Sequence, residues 1–206
     1  VLASTKVGPV PLVPEVLLRH GGDAIDLWER TEAEVGSTDQ QPPFWAFPWP
    51  GGQALARYLL DHREAVAGKT VLDLGSGSGL TAIAAALAGA GRVVASEVDS
   101  FAIASIELNA GLNGVRIGTT GDVLDGDADG FAVVLAADIW YERQLAARAA
   151  GLLRRVAGRG GLVLAGDVGR AFLPRDELRE LAAYEIPVVA ELESAPLKRA
   201  AILTLR

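Results

Sequence analysis

The chain contains no cysteine and only two histidines in 206 residues. Without cysteine there is no disulfide framework, no thiolate nucleophile and no zinc-thiolate site. His20 and His62 lie far apart and outside ligand spacing, so no metal site is expected and both read as surface or helix-end residues. Long apolar runs are missing too: the longest reach about ten residues, too short to cross a bilayer. The N-terminus lacks the charged, apolar and small-residue order of a signal peptide, which makes the cytoplasm the expected location. Positive charge is scarce. With 19 Lys and Arg against 26 Asp and Glu, the net charge of −7 argues against a nucleic-acid footprint and better suits a protein partner that presents a basic or exposed loop.

What is present is ordinary globular material, 50% apolar and 22% charged, long enough for one domain with a core of its own and free of internal repeats. Its organising stretch runs Val71-Leu72-Asp73-Leu74-Gly75-Ser76-Gly77-Ser78-Gly79-Leu80. An apolar run carrying a carboxylate passes through glycines at alternate positions into an Ala-rich helical segment, the pattern of strand, tight turn and helix that opens a nucleotide-binding α/β sheet. The spacing departs from the G-x-G-x-x-G of dinucleotide enzymes, and Gly68-Lys69-Thr70 precedes the strand and lacks the upstream glycine of a phosphate loop, because position 63 is Arg. Charge discriminates further. A carboxylate in the turn repels a pyrophosphate but suits a ligand bearing an ammonium and a sulfonium, as S-adenosylmethionine does. The second apolar strand ends at Glu97, where a ribose diol would find a paired acceptor.

The remaining chain alternates in the same way. Residues 1–14 are punctuated by proline and read as extended or partly disordered; an apolar patch at 14–19, Asp26-Leu27-Trp28-Glu29 and a polar loop at 36–41 follow. Phe44, Trp45, Phe47 and Trp49 crowd a proline-stiffened segment that serves either as a staple for the N-terminal arm or as a lid with one or two rings facing the ligand. Helices are predicted over 53–61, 80–88, 100–109 and 142–157, with another starting at Pro174. Strands are predicted over 71–74, 92–96, 115–120, 131–137 and 161–165, and 184–192 with 200–205 form a terminal hairpin, seven in all. Asp122, just past the third of these, is an acceptor for an adenine amino group or simply a turn acid, and Asp138 stands at the fourth strand's tip beside the glycine turn.

Together these residues resemble the class I, seven-strand S-adenosylmethionine-dependent protein lysine methyltransferases, in particular those acting on the β subunit of electron transfer flavoprotein and their bacterial relatives. The likeness is carried by Pro14-Glu15-Val16-x-Leu18-Arg19, Phe44-Trp45-Ala46, Trp49 to Leu55, the glycine turn, Asp138-x-x-Tyr141 and Gly166-Asp167-x-Gly169-Arg170. It implies a Rossmann-like α/β fold with a mostly parallel seven-stranded sheet, a C-terminal antiparallel hairpin and helices on both faces. It divides the chain into an arm and aromatic lid over 1–52 and a methyltransferase domain over 53–206. It also implies S-adenosyl-L-methionine held by Trp49, Asp73, Gly75, Ser76, Gly77, Gly79, Glu97, Asp122, Val123 and Ala137, with Asp138 and Tyr141 as the substrate-side catalytic pair. Glu97 stands where many relatives have Asp, which keeps the carboxylate. Asp167 and Arg170 match the family without a derivable role beyond an ion pair that fixes a loop.

A lysine amine must lose its proton before attacking a sulfonium methyl; an apolar, aromatic channel disfavours its ammonium, Asp138 would orient the amine, and ring faces of Tyr141 and a tryptophan would favour the cationic product. The alternative role for Asp138 is only to tie down the strand end. Three competing functions are a small-molecule, nicotinamide-like N-methyltransferase, a ribosomal protein methyltransferase and a non-catalytic binding protein on a cofactor fold. Ile139 and Trp140 replace the prolines that follow the strand tip in nucleic-acid amino-methyltransferases, which lowers that option.

Overall fold

Strands that are hydrophobic at every position leave no face for water, and the chain buries them in the centre of one sheet. The computed structural model describes residues 5–22, 42–126, 128–187 and 197–206. The strands are β1 (Lys6–Val10), β2 (Val13–His20), β3 (Thr70–Leu74), β4 (Arg92–Ser96), β5 (Gly118–Thr120), β6 (Val133–Ala137), β7 (Leu162–Asp167), β8 (Leu178–Pro187) and β9 (Leu197–Leu205). The helices are α1 (Pro50–Asp61), α2 (Leu80–Leu87), α3 (Ser100–Leu112) and α4 (Arg143–Gly158). Seven strands form one sheet in the order β5-β4-β3-β6-β7-β9-β8. Its first five strands are parallel, while β9 runs antiparallel to both β7 and β8.

The pleat sends alternate side chains to opposite faces. Val71, Val93, Val133, Leu135 and Leu164 pack beneath α1 and α2 and against Ile106 of α3. Leu72, Leu74, Val94, Val134 and Val163 pack instead on Ala149, Leu152 and Leu153 of α4. The α/β fold with helices on both faces and seven strands is therefore as the sequence implies. The order reverses at β3, which sends β4 to one side and β6 to the other and opens a crevice at the strands' carboxyl ends.

Four features differ in detail. The proline-rich N-terminus forms an antiparallel hairpin of β1 and β2 rather than a loose extended arm. Asn113 exchanges hydrogen bonds with the Leu17 backbone at 2.9 and 2.7 Å, and the Arg19 amide donates to Asn109 Oδ1 at 2.8 Å, so the hairpin is anchored on α3. Helix α1 starts at Pro50, where a proline's missing N–H costs nothing, so the boundary placed after residue 52 falls inside a helix. The third strand of the series shrinks to Gly118–Thr120. Pro174 is followed only by a single 3-10 turn, Arg175–Glu177, before β8 begins at Leu178. There the register along β9, from Leu178 opposite Leu205 to Pro187 opposite Leu197, overrides local helix propensity. The segments 26–29 and 36–41 and the end of the predicted strand at 188–192 lie outside the described residues. Among the described residues, no helix is long and apolar enough to cross a membrane.

Candidate active site

The glycine turn leaves β3 with a buried lock. Asp73 is 1% exposed, and its Oδ2 accepts from Ser76 Oγ at 2.5 Å and Thr81 Oγ1 at 2.6 Å, while Oδ1 is buried without a partner. Burial pushes its carboxyl up to about 6, against the opposing pull of the two hydroxyls. The strand's alternation explains this placement: Leu72 and Leu74 face α4, so Asp73 faces the α2 side. Asp73 ties the turn to α2 and is absent from the cavity wall, unlike the ligand-facing carboxylate read from the sequence. Gly79, at φ 83°, caps α2, where a Cβ would meet Ile106 at 3.4 Å, and also stays off the wall. Gly75 and Gly77, at φ 57° and 54°, do line it. A Cβ on Gly75 would come within 3.1 Å of Ile139, in a conformation that side chains resist.

Beyond the turn lies a cavity of about 890 Å³. Of the sequence-predicted residues it brings together Trp49, Gly75, Ser76, Gly77, Glu97, Asp122, Ala137, Asp138 and Tyr141. Glu97 accepts from the Gly77 amide at 2.9 Å and from the Val98 and Asp99 amides at 2.8 and 3.2 Å, so its carboxylate is fixed against the turn. Asp122 accepts from the Leu124 amide at 2.9 Å and from Arg148 at 2.7 Å, and these two bonds hold it below the ordinary carboxylate range. Val123 turns away, toward a shallow depression beside Phe131 outside β4 and β5; Leu124 takes its place on the wall. A one-residue difference in a loop carries no signal in the sequence. Nor does Arg148, which reaches the wall from α4 and reads there as an ordinary helical cation.

The aromatic segment is both packed on its neighbours and set along the cavity. Trp45 and Phe47 are buried with Ala46 and Ala102, and Trp45 stacks on Phe101 at 6.4 Å, so the segment is stapled to α3. Phe44 sits at the mouth, its ring 6.0 Å from Trp49 and 5.5 Å from Tyr141. The Trp49 indole N–H donates to the Phe44 carbonyl at 2.8 Å and fixes the roof. Tyr141, half exposed, keeps its phenol protonated, because burial and the nearby Glu97 and Glu142 charges raise its pKa.

The tip of β6 is the most constrained point. Asp138 adopts φ 57°, a left-handed conformation that is uncommon outside glycine. Its Oδ2 accepts from the Gly52 amide at 2.7 Å, and its Oδ1 is ion-paired with Arg170 Nη1. Arg170 also reaches Asp167 Oδ2 at 3.2 Å, while Asp167 Oδ1 accepts the Gly169 and Arg170 amides at 2.6 and 2.7 Å. The Asp167–Arg170 pair thus fixes its own loop and extends to Asp138. Parallel pairing of Ala137 with Gly166 brings these residues side by side. Gly51 and Gly166 meet backbone to backbone, where either Cβ would collide with the other's carbonyl oxygen, and that approach lets the first turn of α1 reach Asp138.

Among the described residues five carboxylates line the cavity, Glu97, Asp99, Asp122, Asp138 and Glu142, against two guanidinium groups, Arg148 and Arg170. Such a site disfavours a pyrophosphate and favours a cationic ligand. The bare backbone at Gly75 and Gly77, the acid one strand over and the Asp122 loop fit the amino-acid, ribose and adenine parts of S-adenosylmethionine, with the aromatic roof beside its sulfur.

Known proteins bear on the same point. The chain is 37% identical over 199 residues to the electron transfer flavoprotein beta subunit lysine methyltransferase of Mus musculus, covering 93% of this chain and 76% of that one. The chain belongs to the electron transfer flavoprotein beta subunit lysine methyltransferase family. The Danio rerio member is 36% identical over 198 residues, with the same coverage of 93% and 76%. Residues 54–151 also match the ribosomal protein L11 methyltransferase (PrmA) family. Among solved structures, the ribosomal protein L11 methylase of Lactobacillus delbrueckii subsp. bulgaricus aligns with a TM-score of 0.51 at 24% identity, over 76% of this chain and 79% of that one. The tRNA (uracil-54, C5)-methyltransferase of Pyrococcus abyssi, in complex with S-adenosyl-L-homocysteine, aligns with a TM-score of 0.53 at 21% identity, over 73% of this chain and 38% of that one. As a member of this family, the chain is an S-adenosylmethionine-dependent methyltransferase of the class I fold.

Proposed function

We propose that the chain methylates lysine side chains of a protein, with the electron transfer flavoprotein β subunit as the candidate substrate. The observation that carries this reading is the tetrad Asp138-Ile139-Trp140-Tyr141, which sets a carboxylate and a half-exposed ring beside the glycine turn in an acidic, aromatic cavity. Gly75, Ser76 and Gly77 would hold the methionine end of the cofactor, Glu97 the ribose, Asp122 with Leu124 the adenine, and Ala137 and Trp49 the region around the sulfur. When bound, the cofactor supplies an electrophilic methyl group on a sulfonium centre.

The chain's own residues do the rest by position. A lysine amine has a pKa of about 10.4 in water and attacks only as the free base. Phe44, Trp49 and Tyr141 exclude water at the mouth and disfavour the ammonium, and the fixed Asp138 carboxylate accepts one amine hydrogen so that the lone pair points inward. Their ring faces then stabilise the methylated cation.

The test is incubation with S-adenosylmethionine and electron transfer flavoprotein β subunit made in cells lacking this enzyme, followed by peptide mass spectrometry. Lysines heavier by whole methyl increments support the proposal. Ribosomal protein L11, to which the 54–151 match points, and nicotinamide are the competing acceptors in the same assay. Methylation of either, with the flavoprotein subunit untouched, refutes it.

A further inference from the structure

Asp138 is the group that would orient the acceptor, yet both of its oxygens are engaged. The groups facing it are Arg170 and Asp167 from the end of β7 and the Gly52 amide from the first turn of α1. Tyr141 and Glu142 approach from the connection to α4, and Glu97 from the end of β4 acts on Tyr141. Arg148 is taken up by Asp122 and Asp125. Arg170 is therefore the guanidinium set against Asp138, and it lines the cavity with 17% of its side chain exposed. A bare carboxylate at this point would trap an entering lysine as its ammonium, which cannot attack; an opposite charge within ~4–6 Å raises an amine's pKa by about 1–3 units.

We infer that Arg170 sets the protonation of the methyl acceptor: by compensating Asp138 it removes that carboxylate's hold on the entering lysine's ammonium, so the amine seats as the free base. The proton passes to solvent before the amine seats behind the aromatic mouth, and the lone pair attacks afterwards. Asp138 keeps its orienting role, because each carboxylate oxygen has a second lone pair. Removing the guanidinium returns one proton to the coupled pair of Asp138 and amine, whichever of the two holds it, and that proton must leave before transfer. Arg170 is thus a positioning residue that acts through Asp138. The inference rests on the lysine reading above.

The experiment is the pH dependence of single-turnover methylation of electron transfer flavoprotein β subunit by the wild type, Arg170→Gln and Arg170→Lys, from about pH 6.5 to about pH 10. S-adenosylhomocysteine affinity is measured alongside by calorimetry. Arg170→Gln is expected to move the acid limb up by roughly one unit, which leaves it about tenfold slower on the limb and within about threefold of wild type above it. Arg170→Lys keeps the wild-type limb, and both variants bind S-adenosylhomocysteine within about threefold of the wild type. A loss by the same factor at every pH, an unchanged profile, or lost S-adenosylhomocysteine binding would each overturn the assignment. If Arg170→Gln fails to fold because Asp138 and Asp167 repel, Asp167→Asn/Arg170→Gln removes that repulsion and carries the same expectations. A wild type that binds S-adenosylhomocysteine but methylates nothing at any pH removes the lysine acceptor, and this inference with it.

Discussion

Replacing Asp73 with Asn should make the protein more stable relative to wild type as pH rises. Burial lifts the Asp73 carboxyl to about 6 from an unfolded value of 3.8. Between those values the folded chain holds a proton that the unfolded chain has released. The carboxyl's contribution to stability is therefore fully present below about pH 4 and is lost as pH climbs through about 6. A difference of about two units corresponds to roughly 3 kcal/mol. Asn carries no titrating proton but still offers an oxygen to Ser76 and Thr81, so the gap between variant and wild type should open by roughly 3 kcal/mol in the variant's favour from pH 4 to pH 7. Its starting value at pH 4 depends on where the amide N–H settles, since Oδ1 has no partner to offer it. The slope carries the prediction. Urea unfolding followed by tryptophan fluorescence, extrapolated to water at several pH values, measures it. A gap constant to within about 0.5 kcal/mol across that range would mean that Asp73 is not buried as a carboxylate, and the account of the turn would fail.

Two other perturbations probe the site and its scaffold. Glu97→Gln removes a charge fixed by three backbone amides at the cavity wall; S-adenosylhomocysteine should bind about 10- to 100-fold more weakly by calorimetry, and unchanged affinity would take Glu97 off the ribose. Asn109→Ala leaves the Arg19 amide and the Ser78 carbonyl without their partners, so α3 loses its tie to the glycine turn and keeps the hairpin only through the Asn113–Leu17 pair. It should cost about 2–4 kcal/mol in urea unfolding and strip hydrogen-exchange protection from Arg19, while a cost under about 0.5 kcal/mol would show the hairpin to be held by other contacts.

The sheet was legible because its central strands are apolar along most of their length and its turns carry glycine or acid at the carboxyl ends, which locates the crevice. The β1–β2 hairpin was not, because Pro9, Pro11 and Pro14 mask the alternation of Val13, Val16 and Leu18, and its anchors on Asn109 and Asn113 lie some ninety residues away. Asp73 illustrates a signal that was present and outweighed: a charge beside a glycine turn looks ligand-directed, whereas period-two counting from Leu72 and Leu74 already turns it inward. The Asp138–Arg170 pair was visible only as two separate motifs, since their contact depends on β6 and β7 being neighbours. Gly79 and Val123 were placed by pattern within one turn of the ligand, but helix packing and loop direction decide which backbone faces the cavity.

The central claim is that the crevice at the ends of β3, β4 and β6 takes a cationic methyl donor rather than a pyrophosphate. Calorimetric titration of the protein with S-adenosylmethionine, and separately with NAD, tests it most directly. Saturable one-to-one binding of S-adenosylmethionine with none of NAD is the predicted result; saturable binding of NAD, or no binding of the sulfonium, would contradict it.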